Sequence, residues 1–405
     1  MNTSRRQFVT WLGASTLLAT RAAGATTPAD PRSEFDFPEE KIPMNAANLC
    51  PSSRRVAEEV TRYTQLIDTD CSFQNRAIFS ELLEASRKAV ATPLGVSPDE
   101  VALVRNTSEA NNIINNGLDL EPGDEIVIWE ENHPTNHVAW QVRARRFGLV
   151  VKTVSVPPDP SSIDALIEPF RRAIGPRTRV LTVTHVSNVS GLMLPVAELG
   201  ALCRANGIHF HVDGAQTWGA LDVNLRDMGC DSFSGSAHKW FMGPKEVGLL
   251  YVRSEAIERI WPNTVAPGWG EDADTDLVGA RKFESLGQRD DAALAAMAAA
   301  AALHQEVGAA SVEAHMRLLA QQLKEGLVEA GADLVTPLSP AFSGGVCIAR
   351  VSAENRGALF DRLYREHGII GAPTGGLRLC PHLYNTEAHV DRAVEGVRAL
   401  SEYLA

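Results

Sequence analysis

His209-Phe210-His211-Val212-Asp213-Gly214-Ala215-Gln216 and, further along, Ser232-Phe233-Ser234-Gly235-Ser236-Ala237-His238-Lys239 are the two stretches on which the fold of this chain turns. The first is an apolar strand pattern, Ile208–Val212, closed by an aspartate. The second reads as a strand over Ser232–Ser236, closed by a lysine. Runs of the same kind recur at Ile126–Trp129, Val150–Val156, Val180–Thr184 and Gly248–Val252. Several are apolar at successive positions, as strands covered on both faces of a parallel sheet are. Helical patterns at His137–Phe147, Ile163–Ala173 and Val196–Asn206 lie between them. Alternation of strand and helix over this length predicts a doubly wound α/β domain with a mostly parallel sheet. Ligands in such sheets sit beyond the carboxyl ends of the strands. Adjacent parallel strands would bring Asp213 and Lys239 to one rim.

The rest of the chain arranges itself around that domain. Residues 26–50 are a polar, proline-bearing arm, and Arg54–Leu83 reads as amphipathic helix. The large domain then spans 51–286. Beyond Gly287 come an alanine-rich helix at Ala292–Ala302, a strand-like run at Gly345–Val351, a helix near Arg356–His367 and a final helix from Glu387 to Leu400. These make a smaller α+β domain over 287–405.

An aspartate and a lysine at neighbouring strand ends suit pyridoxal phosphate (PLP). A lysine must form an imine with the cofactor aldehyde, and an acid must keep the pyridine nitrogen protonated so the ring can accept electrons when a bond to Cα breaks. Asp213 fits the second role. Lys239 fits the first, and also the proton transfer at Cα once substrate displaces it. Asn106-Thr107-Ser108-Glu109-Ala110-Asn111 lies between a strand-like run and a helix, so Thr107 is placed to cap that helix, whose first amides suit a phosphate.

With these residues the chain resembles the class V aminotransferase group of fold-type I PLP enzymes, which includes isopenicillin-N-epimerase-like proteins, cysteine desulfurases and sulfoxide C–S lyases. The resemblance covers roughly residues 40–402. It implies PLP as cofactor, a small-molecule amino-acid-type substrate and a homodimer. It implies phosphate contacts from Thr107, Ser108, Ser236 and His238, and a catalytic role for His133, stacked on the pyridine ring. Asn188 and Gln216 would neighbour the phenolic oxygen. Arg378, in Leu377-Arg378-Leu379-Cys380-Pro381, would grip the substrate carboxylate, for which a guanidinium fork is well shaped. Two departures stand out. Desulfurases carry a nucleophilic cysteine on the loop before this arginine, whereas Ile369–Gly376 has none, and Cys380 reads as a packed small side chain. Relatives carry a Gly-Thr pair that contacts the neighbouring subunit's phosphate, whereas Gly287-Gln288 stands here.

Composition narrows the partners. The chain has 405 residues and a formal charge of −12. Nucleic acid and anionic membranes call for clustered Lys and Arg, so neither is expected as a partner. Ser4-Arg5-Arg6-Gln7-Phe8-Val9, an apolar stretch from Trp11 to Ala19, and Ala23-Gly24-Ala25 read as a removable twin-arginine export signal over 1–25. Its apolar stretch is too short to span a bilayer, and no membrane anchor remains after cleavage. Removal takes Arg5, Arg6 and Arg21 and moves the formal charge from −12 to −15. That route exports folded proteins, which suits an enzyme loaded with a cytosolic cofactor, and places the product in the periplasm or outside the cell. The six cysteines are scattered, without metal-site spacing, and read as buried and reduced; no metal is expected.

The expected function is action at Cα of an amino acid or amino-acid-containing metabolite, transaminase- or epimerase-like, in tailoring a secreted product. The alternative is a C–S lyase. A non-catalytic exported PLP-binding protein is a third, disfavoured by the intact Lys239, Asp213 and Arg378. The steps up to loss of the Cα proton are common to all the reactions, so these motifs do not separate the outcomes.

Overall fold

The structure is a computed structural model that describes residues 31–266 and 278–404. The export signal over 1–25 and the first residues of the arm lie outside the described residues. From a 3-10 turn at Pro31–Glu34 the arm runs to β1 (Ile42–Pro43). The stretch expected as one helix is three: α1 (Arg54–Thr69), α2 (Phe73–Arg76) and α3 (Ile78–Ala91). The break falls at Asp70-Cys71-Ser72. Asp70 is extended (φ −148°, ψ 101°) and its Oδ1 accepts the Ser72 N–H. Ser72 Oγ in turn caps α2 by accepting the Asn75 N–H. Short polar side chains offer the backbone these local bonds in place of helix continuation.

The sheet strands follow: β2 (Val101–Val104), then α4 (Thr107–Gly117), β3 (Glu125–Trp129), α5 (Pro134–Phe147), β4 (Val150–Val154), β5 (Thr178–Thr184), β6 (His209–Asp213), β7 (Ser232–Ser236) and β8 (Gly248–Val252). They form one seven-stranded sheet in the order β2-β8-β7-β6-β5-β3-β4. β8 alone runs antiparallel to its neighbours β7 and β2. Side chains alternate between two cores, which is why the strands read as apolar at successive positions. Val127, Trp129, Leu181, Val183, Phe210, Val212 and Phe233 face one core, closed by helices that include Leu166, Phe170 and Leu199. Ile126, Ile128, Val180, Leu250 and Val252 face the other, against Ile113 and Ile114 of α4 and Trp140 of α5.

The register sets the rim. Thr184 pairs with Asp213 and Asp213 with Ser234, so the ends of β5, β6 and β7 lie side by side. Beyond two long helices, Asp291–Val307 and Ala309–Glu329, come β9 (Cys347–Ala349), the helix Ala353–His367, β10 (Ile369–Ile370), β11 (Leu377–Leu379) and the helix Glu387–Ala399. β9 pairs antiparallel with β11, and β10 pairs parallel with β1 of the arm. The arm therefore belongs to the C-terminal core: Ile42, Met44 and Ala46 pack with Ile348, Leu377, Leu379 and Val390.

Candidate active site

The aspartate that ends β6 is almost fully buried, and its carboxylate is held from both sides. Oδ1 accepts the Ala215 N–H at 3.0 Å, and Oδ2 accepts Asn111 Nδ2 at 2.8 Å. Lys239 sits in the turn after β7; its N–H points back to the Ser236 carbonyl, and its own carbonyl accepts the Met242 N–H at 2.9 Å. Burial pushes its amine down to about 8, with Arg378 adding to the drop and Asp213 opposing it. A lysine in that range has a substantial neutral fraction near physiological pH, which an ordinary lysine lacks.

The start of α4 faces these groups. Asn106, not Thr107, is the cap, a correction to the sequence reading: Asn106 is extended (φ −172°) and its Oδ1 accepts the Glu109 N–H at 3.0 Å. Thr107 is thereby released to be the first helical residue. Its N–H and its hydroxyl both meet Ser236 Oγ at 2.8 Å, joining β7 to the helix start. The Ser108 N–H has no partner among the described residues. Gly248 makes the approach possible, because a Cβ there would lie 2.4 Å from the Gly235 oxygen and 2.9 Å from Asn106 Cα. His238 is half-buried, and burial, then Lys239 and Lys245, lower its imidazole to about 4. Two hydroxyls, an open helix N-terminus and a neutral imidazole thus share one corner, a donor set that fits a phosphate.

His133 caps α5, its Nδ1 accepting the Thr135 N–H at 3.3 Å, while its own N–H donates to Thr184 Oγ1 at 3.2 Å. Asn132 pins that loop, donating to the Thr182 carbonyl and accepting from the Thr184 N–H. Burial lowers the His133 imidazole, and the charges of Asp213, Lys239 and Arg378 all reach it. Arg378, on β11, is only 3% exposed. It donates to the Asn188 carbonyl at 3.1 Å and to Asn45 Oδ1 of the arm at 3.3 Å. Its buried Nε–H has no partner. An unmet charged donor in such a place costs stability unless a ligand satisfies it.

The structure thus brings Lys239, Asp213, His133 and Arg378 into one electrostatic neighbourhood, with Thr107 and Ser236 joined, Ser108 beside them and Asn188 touching Arg378 through its backbone. Gln216 is more committed than expected. Its Nε2 donates to the Ala47 carbonyl at 3.0 Å and its oxygen accepts the Trp240 indole N–H at 2.7 Å, which leaves one amide hydrogen. Gln288 is exposed and accepts from Arg76. The sequence reading passed over Asn111 and Asn45. Asn111 had a signal, lying one helical turn after Thr107 and so on the same face; Asn45 had none.

With this geometry in view, similarity to known proteins becomes decisive. Residues 54–357 match the family described as aminotransferase class-V. The chain belongs to the class V aminotransferase family. Members of the family depend on PLP, and the relatives are enzymes. Isopenicillin N epimerase of Streptomyces clavuligerus is 32% identical over 89% of this chain and 95% of its own. A cysteine desulfurase of Klebsiella pneumoniae is 38% identical over 44% of each chain. The solved apo cysteine desulfurase of Thermococcus onnurineus shares the fold, with a TM-score of 0.83 and 24% identity over 94% of this chain and 99% of that one. The mostly parallel sheet is the family's fold, and in this chain Asp213 and Lys239 lie at the carboxyl ends of β6 and β7.

All six cysteines are free thiols, and only Cys71 is exposed. Burial pushes Cys50 up to about 12 and raises Cys347 and Cys380 as well. Among the described residues no cluster could hold a metal, and no helix is long and apolar enough to cross a membrane.

Proposed function

We propose that this chain is an exported class V enzyme that works at the Cα–H bond of an amino acid or amino-acid-containing metabolite, with an epimerase- or transaminase-like outcome. Bound PLP supplies the electron sink for the pair left when a bond to Cα breaks. Thr107, Ser108, Ser236 and His238 hold its phosphate, Asp213 faces the pyridine nitrogen, and His133 covers the ring. Asn188 and the remaining amide hydrogen of Gln216 serve the phenolic oxygen. Lys239 anchors the cofactor and then carries the Cα proton. Arg378 binds the substrate carboxylate. The observation that carries the reading is the buried Arg378 with its unpartnered Nε–H, close enough to Lys239 for its charge to help lower the lysine amine. A carboxylate there brings an α-carbon to the lysine.

Similarity over 89% of the chain to an epimerase supports action at Cα without loss of the side chain. The C–S lyase alternative draws support from the desulfurase similarity. Against its persulfide route stand a 369–376 loop without cysteine and the buried, raised thiols of Cys347 and Cys380. The deciding assay follows purified, PLP-loaded protein in D2O with a panel of amino acids. Deuterium at Cα with inversion, or amine exchange with keto acids, supports the reading; pyruvate and ammonia from cysteine conjugates without either would replace it by the lyase.

Two further parts of the proposal rest on weaker supports. Export is supported by the paired arginines and apolar stretch at the N-terminus, and the mature N-terminus of protein recovered from the periplasm tests it. A homodimer is supported by exposed apolar side chains such as Phe73, 82% exposed, and Trp261, 65% exposed. Light scattering of the loaded protein tests that; a monomer would remove it.

A further inference from the structure

Behind Asp213 a line of polar side chains runs through the sheet interior. Asn111 Nδ2 donates to Asp213 Oδ2 at 2.8 Å. Asn111 Oδ1 meets Ser234 Oγ at 2.7 Å and His211 Nε2 at 2.9 Å. His211 Nδ1 meets Ser232 Oγ at 2.8 Å, and Ser232 Oγ meets His209 Nε2 at 3.0 Å. Every member is buried.

The direction of each bond follows from which atoms can donate. Both Asp213 oxygens act as acceptors, Oδ1 from the Ala215 N–H and Oδ2 from Asn111, so Asn111 turns its NH2 toward Asp213. Its carbonyl oxygen then faces Ser234 and His211, and it too only accepts. Ser234 therefore donates its hydroxyl hydrogen, and His211 carries its hydrogen on Nε2. Burial lowers the imidazoles of His209 and His211 to about 3, so both are neutral. Nδ1 of His211 is then a bare lone pair, and Ser232 donates to it. Ser232 oxygen is left to accept from Nε2–H of His209. The line ends at His209 Nδ1, a lone pair, and that atom is buried without a partner. An unmet acceptor at the end of the line is the outcome this polarity demands; the reverse polarity would leave an N–H stranded and Asn111 presenting oxygen to a carboxylate.

We infer that Asn111, backed by His211, Ser232 and His209, is a positioning residue that locks the orientation of the Asp213 carboxyl group. Its place on α4 is apt, since Thr107 and Asn111 are four residues apart and about 6 Å along the helix axis. One helix thereby serves the phosphate corner and the acid. The inference rests on the reading that Asp213 faces the cofactor's pyridine nitrogen.

Two measurements test it. Long-range 1H–15N correlation spectra of the uniformly labelled apoprotein report histidine tautomers, with assignment by loss of the signal in His209→Gln and His211→Gln. Both histidines are expected as neutral Nε2–H tautomers between pH 5.5 and 8.5; an Nδ1–H tautomer or a cationic His211 in that range overturns the inference. Next, PLP labelled with 15N at the ring nitrogen is loaded onto the wild type and onto Asn111→Ala. The wild type is expected at a pyridinium shift, and the variant displaced toward neutral pyridine. A protonated wild type with an unmoved variant overturns the inference and leaves the reading of Asp213 standing. A neutral pyridine in the wild type overturns that reading instead, whatever the tautomers show. If Asn111→Ala does not fold, the tautomers of the wild type still decide.

Discussion

The rim of the large sheet and the wall that carries Arg378 are built in opposite ways. Asp213 ends β6 and Lys239 lies in the turn after its parallel neighbour β7, so the strand register brings the two together, with Asn111 of α4 as the one distant group on Asp213. Arg378 stands on a short strand of the C-terminal part, held by a carbonyl from residue 188 and an amide oxygen from residue 45, far away in sequence. In the proposed function the rim supplies the chemistry and the wall supplies recognition. A site built this way separates the two in mutagenesis: damage at the rim should strike the chemical step, and damage at the wall should strike binding of the carboxylate.

The largest expected effect falls at the rim. Lys239→Ala should lower exchange of the Cα proton by on the order of 10³-fold or more, since it removes both anchor and base. Reduction with borohydride followed by peptide mapping should find a pyridoxyl adduct at Lys239 in the wild type only; an adduct on another lysine would break the assignment. At the wall, Arg378→Ala should raise KM for amino-acid substrates about 10- to 100-fold, the equivalent of one lost charged hydrogen-bond pair. Steady-state kinetics with an amino acid and its decarboxylated amine check this. An equal loss for both substrates would contradict the separation.

The rim also has a pH signature. Because the Lys239 amine is lowered to about 8, its neutral fraction rises about tenfold per pH unit below that value and levels off above it. The rate at which apoprotein takes up PLP, followed by absorbance, should rise with pH and flatten near 8. A rise continuing beyond pH 10 would mean an ordinary lysine. Asn45→Ala should have the smallest effect, a rise of about 2- to 10-fold in KM with kcat unchanged, because it costs Arg378 one bond of 3.3 Å. A fall in kcat alone would move Asn45 to the chemical side of the comparison.

The same contrast explains what was legible in the sequence. The strands Ser232–Ser236 and Gly248–Val252 and the helix Ile163–Ala173 have the limits read from the sequence; Gly248–Val252 is apolar throughout and buried at every position, and the helix starts at a local signal, the Ser162 cap that accepts the Ala165 N–H. The three-helix start of the domain was not legible. Its amphipathic period continues across Asp70 and Ser72, and only the hydrogen bonds those residues make locally show where the helix ends. Gln216 was visible as a residue beside Asp213, but its pairing with Ala47 and Trp240 was not, since those partners arrive from the arm and from the turn after Lys239.

The order of strands and helices, and the pairing of an acid with a lysine at neighbouring strand ends, were determined by the sequence alone, because hydrophobic period and strand ends are local properties. Which side chains close around that pair was decided only by the tertiary structure. The direction of the Asn111 amide, the arm laid against β10, and the guanidinium left with its Nε–H unspent each depend on groups a hundred or more residues apart meeting in a space from which water is excluded. There each donor must find an acceptor or wait for a ligand that brings one.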